Sequence, residues 1–417
     1  MTTPANGAKR SFTPLTAYQR QLFVFLSVAT FFEGYDFTAL SQILPNLRAE
    51  MDLSESGGGL LVSAIGAGTI LSYALVRLAD RWGRRRVLTI TILGYAGCTF
   101  LTGLSRNPID FAAYQLLARV FLVAEWALSM VFAAEEFPAD RRGFVIGVIQ
   151  ASTALGSIVC AVIVPLLLET RYGWRSVYFV GVIPILLLAY ARRGLRETQR
   201  FVEEVKPTRV PHGPFAILGT PYRNRVLQLA LVWCLTYVCT QSAVLFWKEF
   251  AVSERGFSDE EVGFAIAIAA AVSLPFLFFV GKLLDVIGRR RSAALIYGVC
   301  VVFVVLAYQL HGFWPLTFCL VAALFAAVGM LSLLNAFTTE LFPTPMRGDA
   351  FALANNLLGR VGYIVGPLVV GVLAERIGWG DAVSVTAGFV VAALAIILWA
   401  FPETSGRELE ETAALSA

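Results

Sequence analysis

The 417 residues are 57% apolar and only 15% charged, with a formal net charge of +4. A water-soluble domain carries about half apolar and about a quarter charged residues, so this composition excludes one. The basic residues are spread over short segments instead of forming one patch, which excludes a nucleic-acid partner.

The apolar residues fall in blocks of roughly 20, the length that crosses a bilayer as a helix. After a polar tail (1–19), where no cleavable signal is expected, span 1 (20–46) carries two acids, Glu33 and Asp36. They are three residues apart and share a helix face. Span 2 (58–77) leads into a basic turn with Asp80 and Arg84, followed by span 3 (87–105). Span 4 (110–134) contains Arg119 and Glu125 and ends at Glu135 and Arg142. Span 5 (143–168) brings Gln150, Ser152 and Thr153, and span 6 (176–192) closes the first half. A polar loop (193–222) with Pro207, Pro211, Gly213, Pro214 and Pro221 separates it from span 7 (225–250). That span offers Thr236, Tyr237, Thr240 and Gln241, with Lys248 and Glu249 at its end, where they are expected to snorkel toward the headgroups. Spans 8 (261–281), 9 (292–311) and 10 (314–338) follow, with Asp285, Arg289, Glu340 and Arg347 in their connections. Span 11 (349–374) carries Asn355, Asn356, Arg360 and Tyr363, and span 12 (381–401) precedes a tail (402–417). Asn356, Arg360 and Tyr363 stand at i, i+4 and i+7, one face of an α-helix.

The expected fold is therefore an all-α membrane protein of twelve transmembrane helices in two halves, 20–192 and 223–401. Gly66, Gly68, Gly156 and Gly359 are expected to allow close helix contact. Pro45, Pro165, Pro184, Pro275 and Pro367 are expected at kinks or helix ends. The six cysteines all lie in apolar stretches without metal-like spacing and read as free thiols. No cofactor or metal is expected, and no enzyme motif is present.

One offset repeats along the chain. VRLADRWGRRR (76–86) matches GKLLDVIGRRR (281–291), EEFPADRRG (135–143) matches ELFPTPMRG (340–348), and Gly173-Trp174 matches Gly378-Trp379. Each pair is separated by 205 positions. A period of this length is a duplicated six-helix half, a construction common in secondary transporters. The G-x-x-x-D-x-x-G-R-R turn resembles the signature of the major facilitator superfamily, complete in the second copy, with Val76 replacing the leading glycine in the first. The E-x-x-P-x-x-x-R-G segments, RETQRF (196–201) and PETSGRELEE (402–411) resemble the sugar porter branch and the metabolite–proton symporters. Glu33-Gly-Tyr-Asp36 resembles the D-G-[FY]-D of aromatic-acid–proton symporters.

The resemblance implies alternating access. In that reading Asp80, Arg84, Asp285 and Arg289 act as latches on the cytoplasmic side, beside charge networks of Glu135, Arg142, Glu340 and Arg347. Asp36 and Arg119 resemble the acid–arginine pair of proton-coupled sugar porters, with Glu33 and Glu125 as neighbouring acids. Ionisable residues within spans cost several kcal/mol unless paired or wet, so they mark function by default. Arg360, with Asn356, Tyr363, Asn355, Gln150, Gln241, Thr240 and Tyr237, composes a candidate substrate site of guanidinium, amides, hydroxyls and rings. Proton symport of a small organic acid or related polar metabolite is the leading reading, by a monomer in the inner (plasma) membrane of the cell. Proton-antiport efflux of drugs or metabolites is the alternative, and a transporter-like membrane sensor is a reading of another class.

Orientation follows from the basic residues. With the N terminus inside, the inner segments hold 24 Lys and Arg and the outer ones 7, which places both termini in the cytoplasm. A cysteine introduced at Gly213 is expected to react with an impermeant thiol reagent only from the cytoplasmic side. Labelling of intact cells from outside reverses the topology.

Overall fold

The computed structural model describes residues 14–138, 141–182, 214–343 and 346–404. The N-terminal half contains α1 Ala17–Glu50, α2 Glu55–Trp82, α3 Arg84–Gly103, α4 Pro108–Glu136 and α5 Arg142–Leu168, with helical residues again at 175–182. The C-terminal half contains α6 Arg223–Leu245, a short α7 Trp247–Ser253, α8 Asp259–Ile287, α9 Arg289–Gln309, α10 Phe313–Glu340, α11 Arg347–Phe351 and α12 Gly362–Ala400. Among the described residues, nine helical segments are long and apolar enough to cross a membrane, and no strand occurs. Most of loop 193–222, the tail beyond 404 and Pro184 lie outside the described residues, as do the side chains of Asp80, Arg142 and Asp285.

Local chemistry sets the helix ends. The Thr16 and Ser258 hydroxyls each accept a hydrogen bond from the backbone N–H three residues on, and the Gln19 and Glu261 side chains accept one from the cap's own N–H, which closes two capping boxes. Ser54 and Asn107 cap α2 and α4. Gly83 (φ 93°) and Gly288 (φ 87°) each end one helix and begin the next. A side chain resists that backbone conformation, so glycine at both turns keeps the paired helices in sharp succession.

The sequence repeat recurs as geometry. Arg84 pairs with Glu135 at 2.7 Å and Arg289 with Glu340 at 2.8 Å, at equivalent places in the two halves. Both pairs lie at the face that carries the arginine-rich turns, called here the basic face. Each holds together helices of its own half.

The structure departs from the expected spans at two places. Span 7 stops at Leu245, and one non-helical residue, Phe246, separates it from α7. Span 11 starts as α11, continues through a π-helical stretch Ala352–Leu358 and a 3-10 turn Gly359–Val361, and only then becomes α12. Near the far end of span 11, Gly378 (φ 79°) breaks α12 between spans 11 and 12. The Glu254 carboxylate accepts the Trp379 and Gly380 N–H groups there and caps the second piece.

Small residues bring the helices together. A Cβ on Gly34 would lie 1.8 Å from Thr153 O, and one on Gly156 would lie 1.9 Å from Phe31 O, so α1 and α5 touch backbone to backbone. Gly68 likewise faces Leu116 O of α4, and Gly359 packs on Trp233. Between the halves, Gly59 meets Gly371 and Gly66 meets Tyr363 O, while Gly263 meets Ala161 O. Ser63 donates to Ile364 O at 2.7 Å and Ser56 to Glu375 at 2.6 Å. These contacts between halves gather toward the face opposite the arginine-rich turns, the distal face. The molecule is closed there.

Gly34→Ala therefore forces two backbones apart and is expected to cost about 2 kcal/mol, as overpacking does. A Cβ on Gly97 would meet nothing within 4 Å, so Gly97→Ala is expected to be neutral or slightly stabilising. Thermal unfolding in detergent distinguishes the two; equal melting temperatures refute the close-contact account.

Candidate functional site

The ionisable groups of the spans converge between α1, α4 and the start of span 11. Asp36 is 3% exposed and Arg119 8% exposed. Asp36 Oδ2 stands 3.6 Å from Arg119 Nη2. That distance suits charge pairing and is too long for a good hydrogen bond. Asp36 Oδ2 accordingly has no hydrogen-bond partner among the described residues. The Tyr95 hydroxyl faces the same carboxylate, and Arg119 sits over the Phe37 ring at 5.8 Å. Glu33, one turn before Asp36, has a buried Oε2 without a hydrogen bond. The charges of Arg360, Arg119 and Asp36 all act on it. Glu125 is 4% exposed and lies within reach of the Glu33 charge. The two halves thus meet through Glu33, whose neighbours include an arginine from each.

Arg360 makes no ion pair among the described residues, and its Nε is buried without a partner. Its guanidinium lies 5.9 Å from the Tyr363 ring centre. Tyr363 stacks edge-on against Tyr237 at 4.8 Å, and Tyr237 in turn lies 5.3 Å from Trp233. The Tyr237 hydroxyl donates to Asn355 Oδ1 at 3.0 Å. These contacts revise the expectation of one α-helical face for Asn356, Arg360 and Tyr363. The π-helical and 3-10 turns between them change the residue spacing per turn, and Asn355, also expected at the site, is the amide that bonds the Tyr237 hydroxyl.

Two other predicted members sit apart. Thr240 is buried and spends its hydroxyl on Thr236 O. Gln150 is exposed, with its amide toward Met130 Sδ. Gln241 and Tyr363 line a narrow cavity between the halves, together with Phe37, Thr69 and Arg119. It holds about 30 Å³, enough for water and too little for an organic molecule. The centre is sealed above the charge cluster on the distal side.

Lys248 and Glu249 do not snorkel. The step at Phe246 turns them inward, where they are 0% and 2% exposed. Lys248 pairs with Asp259 at 2.5 Å. Glu249 pairs across the halves with Arg48 at 2.9 Å. Arg48 also binds Glu55 at 3.1 Å and lies 5.3 Å over Trp379. Arg48, Glu249 and Tyr95 are functional candidates that sequence reasoning missed. The one signal for them was Arg48 itself, a basic residue at the sparsely basic end of span 1. At the basic face, Arg347 donates to Phe342 O within its own half.

A family model described as Major Facilitator Superfamily matches residues 26–364 and 249–415. The chain is 28% identical over 390 residues to a protein of Cupriavidus pinatubonensis named "Probable 4-methylmuconolactone transporter", covering 91% of this chain and 89% of that one. It is 28% identical over 383 residues to a cis,cis-muconate transport protein of Acinetobacter baylyi, covering 88% and 91%. The fold is similar to the crystal structure of a D-xylose–proton symporter, with a TM-score of 0.76 and 19% identity over 94% of this chain and 100% of that one.

The Arg48–Glu249 pair makes the closed distal face testable. Removing one partner of a buried charge pair costs about 2–5 kcal/mol. Because Arg48 keeps Glu55, the low end applies to Glu249→Gln, about thirtyfold in the closed-to-open ratio. Spin labels at Asp52 and Ser258, one in each half at the distal face, are expected to show a new population at longer distance in the variant. An unchanged distance distribution removes the pair from any role in closure.

Proposed function

The chain belongs to the major facilitator superfamily, as a multi-pass secondary transporter, and from that premise we propose that it carries a small organic acid together with protons into the cytoplasm. Both termini face the cytoplasm in this reading, so the basic face is the inner one and the distal face the outer one. The carrying observation is the composition of the central charge cluster. Glu33, Asp36 and Glu125 supply three carboxyls, and Arg119 and Arg360 two guanidiniums. Fully ionised, the cluster has an excess of one negative charge. A carboxylate substrate adds another in a region where unbalanced charge is expensive. A proton arriving with the anion returns the cluster to the charge it carries without substrate.

The geometry supports a division of roles. Asp36 is the proton carrier: its Oδ2 is buried, close to Arg119 in charge and free of hydrogen bonds. A small movement of Arg119 exchanges the guanidinium for a proton as the partner of that carboxylate. Arg360 receives the substrate carboxylate, since its guanidinium has no ion-pair partner among the described residues and presents a planar fork that suits two carboxylate oxygens. Tyr363, Tyr237 and Trp233 offer ring faces beside it, and Asn355 fixes Tyr237. The named substrates of the two relatives, a muconate and a methylmuconolactone, support the acid class.

The test is uptake into proteoliposomes under an imposed proton gradient, with cis,cis-muconate as the first probe of a panel of small acids. Asp36→Asn is expected to abolish accumulation against the gradient and to spare exchange of labelled for unlabelled substrate. Arg360→Ala is expected to weaken binding by about 2–5 kcal/mol with folded yield unchanged, and Arg360→Lys, which keeps the charge and loses the fork, by less. Accumulation by Asp36→Asn moves the proton to Glu33 or Glu125. A ligand panel in which only neutral or cationic compounds bind overturns the acid assignment.

A further inference from the structure

At the basic face, away from the central cluster, a cavity of about 590 Å³ opens between the last turn of α8, the first turn of α9 and the end of α12. Its walls are of two kinds. Val286, Ile287, Ala294 and Leu398 are apolar, and Arg290 and Arg291 are basic. Glu403 closes the back. Its two carboxylate oxygens accept the backbone N–H groups of Arg289 and Arg290, at 2.7 and 3.0 Å. That acid therefore answers the N-terminus of α9, where a negative charge is favoured.

The guanidiniums are differently placed. Arg290 donates to Leu398 O, and Arg225 of α6 donates to Ala400 O nearby. These bonds satisfy carbonyls at the end of α12 and leave the positive charges in place. Arg291 is exposed. Among the described residues no carboxylate forms an ion pair with Arg225, Arg290 or Arg291. The cavity also opens sideways. Val286 is 72% exposed and Trp399, beside Leu398, is 85% exposed. An exposed tryptophan at a helix end sets its level at the membrane–water boundary, where indoles collect.

A soluble anion would use the arginines and leave the apolar wall bare. An acyl chain would use the wall and leave the charges unanswered. We propose that this cavity binds an anionic glycerophospholipid, its phosphate on Arg290 and Arg291 and its chain along Val286 and Leu398. Basic pockets between transmembrane helices on the cytoplasmic side are suited to such headgroups. Arginine is the residue that gives a phosphate two parallel hydrogen bonds.

The experiment is native mass spectrometry of delipidated full-length protein, titrated with phosphatidylglycerol or phosphatidylethanolamine, with melting temperatures measured in parallel against inorganic phosphate. Phosphatidylglycerol is expected to be retained over phosphatidylethanolamine and to raise the melting temperature, while inorganic phosphate does neither. Arg291→Gln is expected to weaken phosphatidylglycerol retention about fivefold, and Arg290→Gln with Arg291→Gln about thirtyfold. If the double variant does not fold, the exposed single site decides. Equal retention of both lipids, unchanged retention by Arg291→Gln, or equal stabilisation by inorganic phosphate overturns the proposal.

Discussion

A charge held between helices at membrane depth must find its counter-charge inside the protein, and the architecture depends on that constraint. At the centre, Asp36 answers Arg119, while Glu33 stands where an arginine of each half acts on it. At the distal face, Arg48 joins Glu55 of its own half to Glu249 of the other. At the basic face the pairs Arg84–Glu135 and Arg289–Glu340 stay within their halves. Coupling across the halves is thus electrostatic at the centre and distal face and internal to each half at the basic face. Close glycine contacts provide the rest: they let α2 and α12 meet without interlocking side chains, a surface on which one bundle can move against another.

Much of this was legible in the sequence. The span pattern follows from composition, because lipid tolerates few charges. The two-half construction follows from motifs on one offset, and it returns as matched ion pairs and matched positive-φ glycines at 83 and 288. Asp36 and Arg119 stood out because charged residues within apolar spans are rare enough to name one by one.

The remainder was not legible for identifiable reasons. The π-helical stretch 352–358 contains neither proline nor glycine, so nothing in the composition interrupts a regular helix there. An assumed period of 3.6 put Asn356, Arg360 and Tyr363 on one face, whereas Asn355, also expected at the site, is the amide that bonds Tyr237. The break at Phe246 is equally silent, and with it the inward turn of Lys248 and Glu249. Arg48 and Glu249 are 201 residues apart, and no local rule connects them. Periodicity reads the faces of helices; it does not read where helices are interrupted, and here the interruptions set which polar groups face the centre.

The Glu403 contact has a consequence for biosynthesis. The backbone donors at Arg289 and Arg290 emerge from the ribosome more than a hundred residues before the carboxylate that accepts them. During that interval the first turn of α9 lacks this acceptor, while α10, span 11 and span 12 are still being made. When Glu403 arrives it ties the end of the last span to the start of the ninth, and Thr404 joins the Glu340–Arg289 pair in the same step. These contacts at the basic face of the C-terminal half therefore cannot form until the last span has been made.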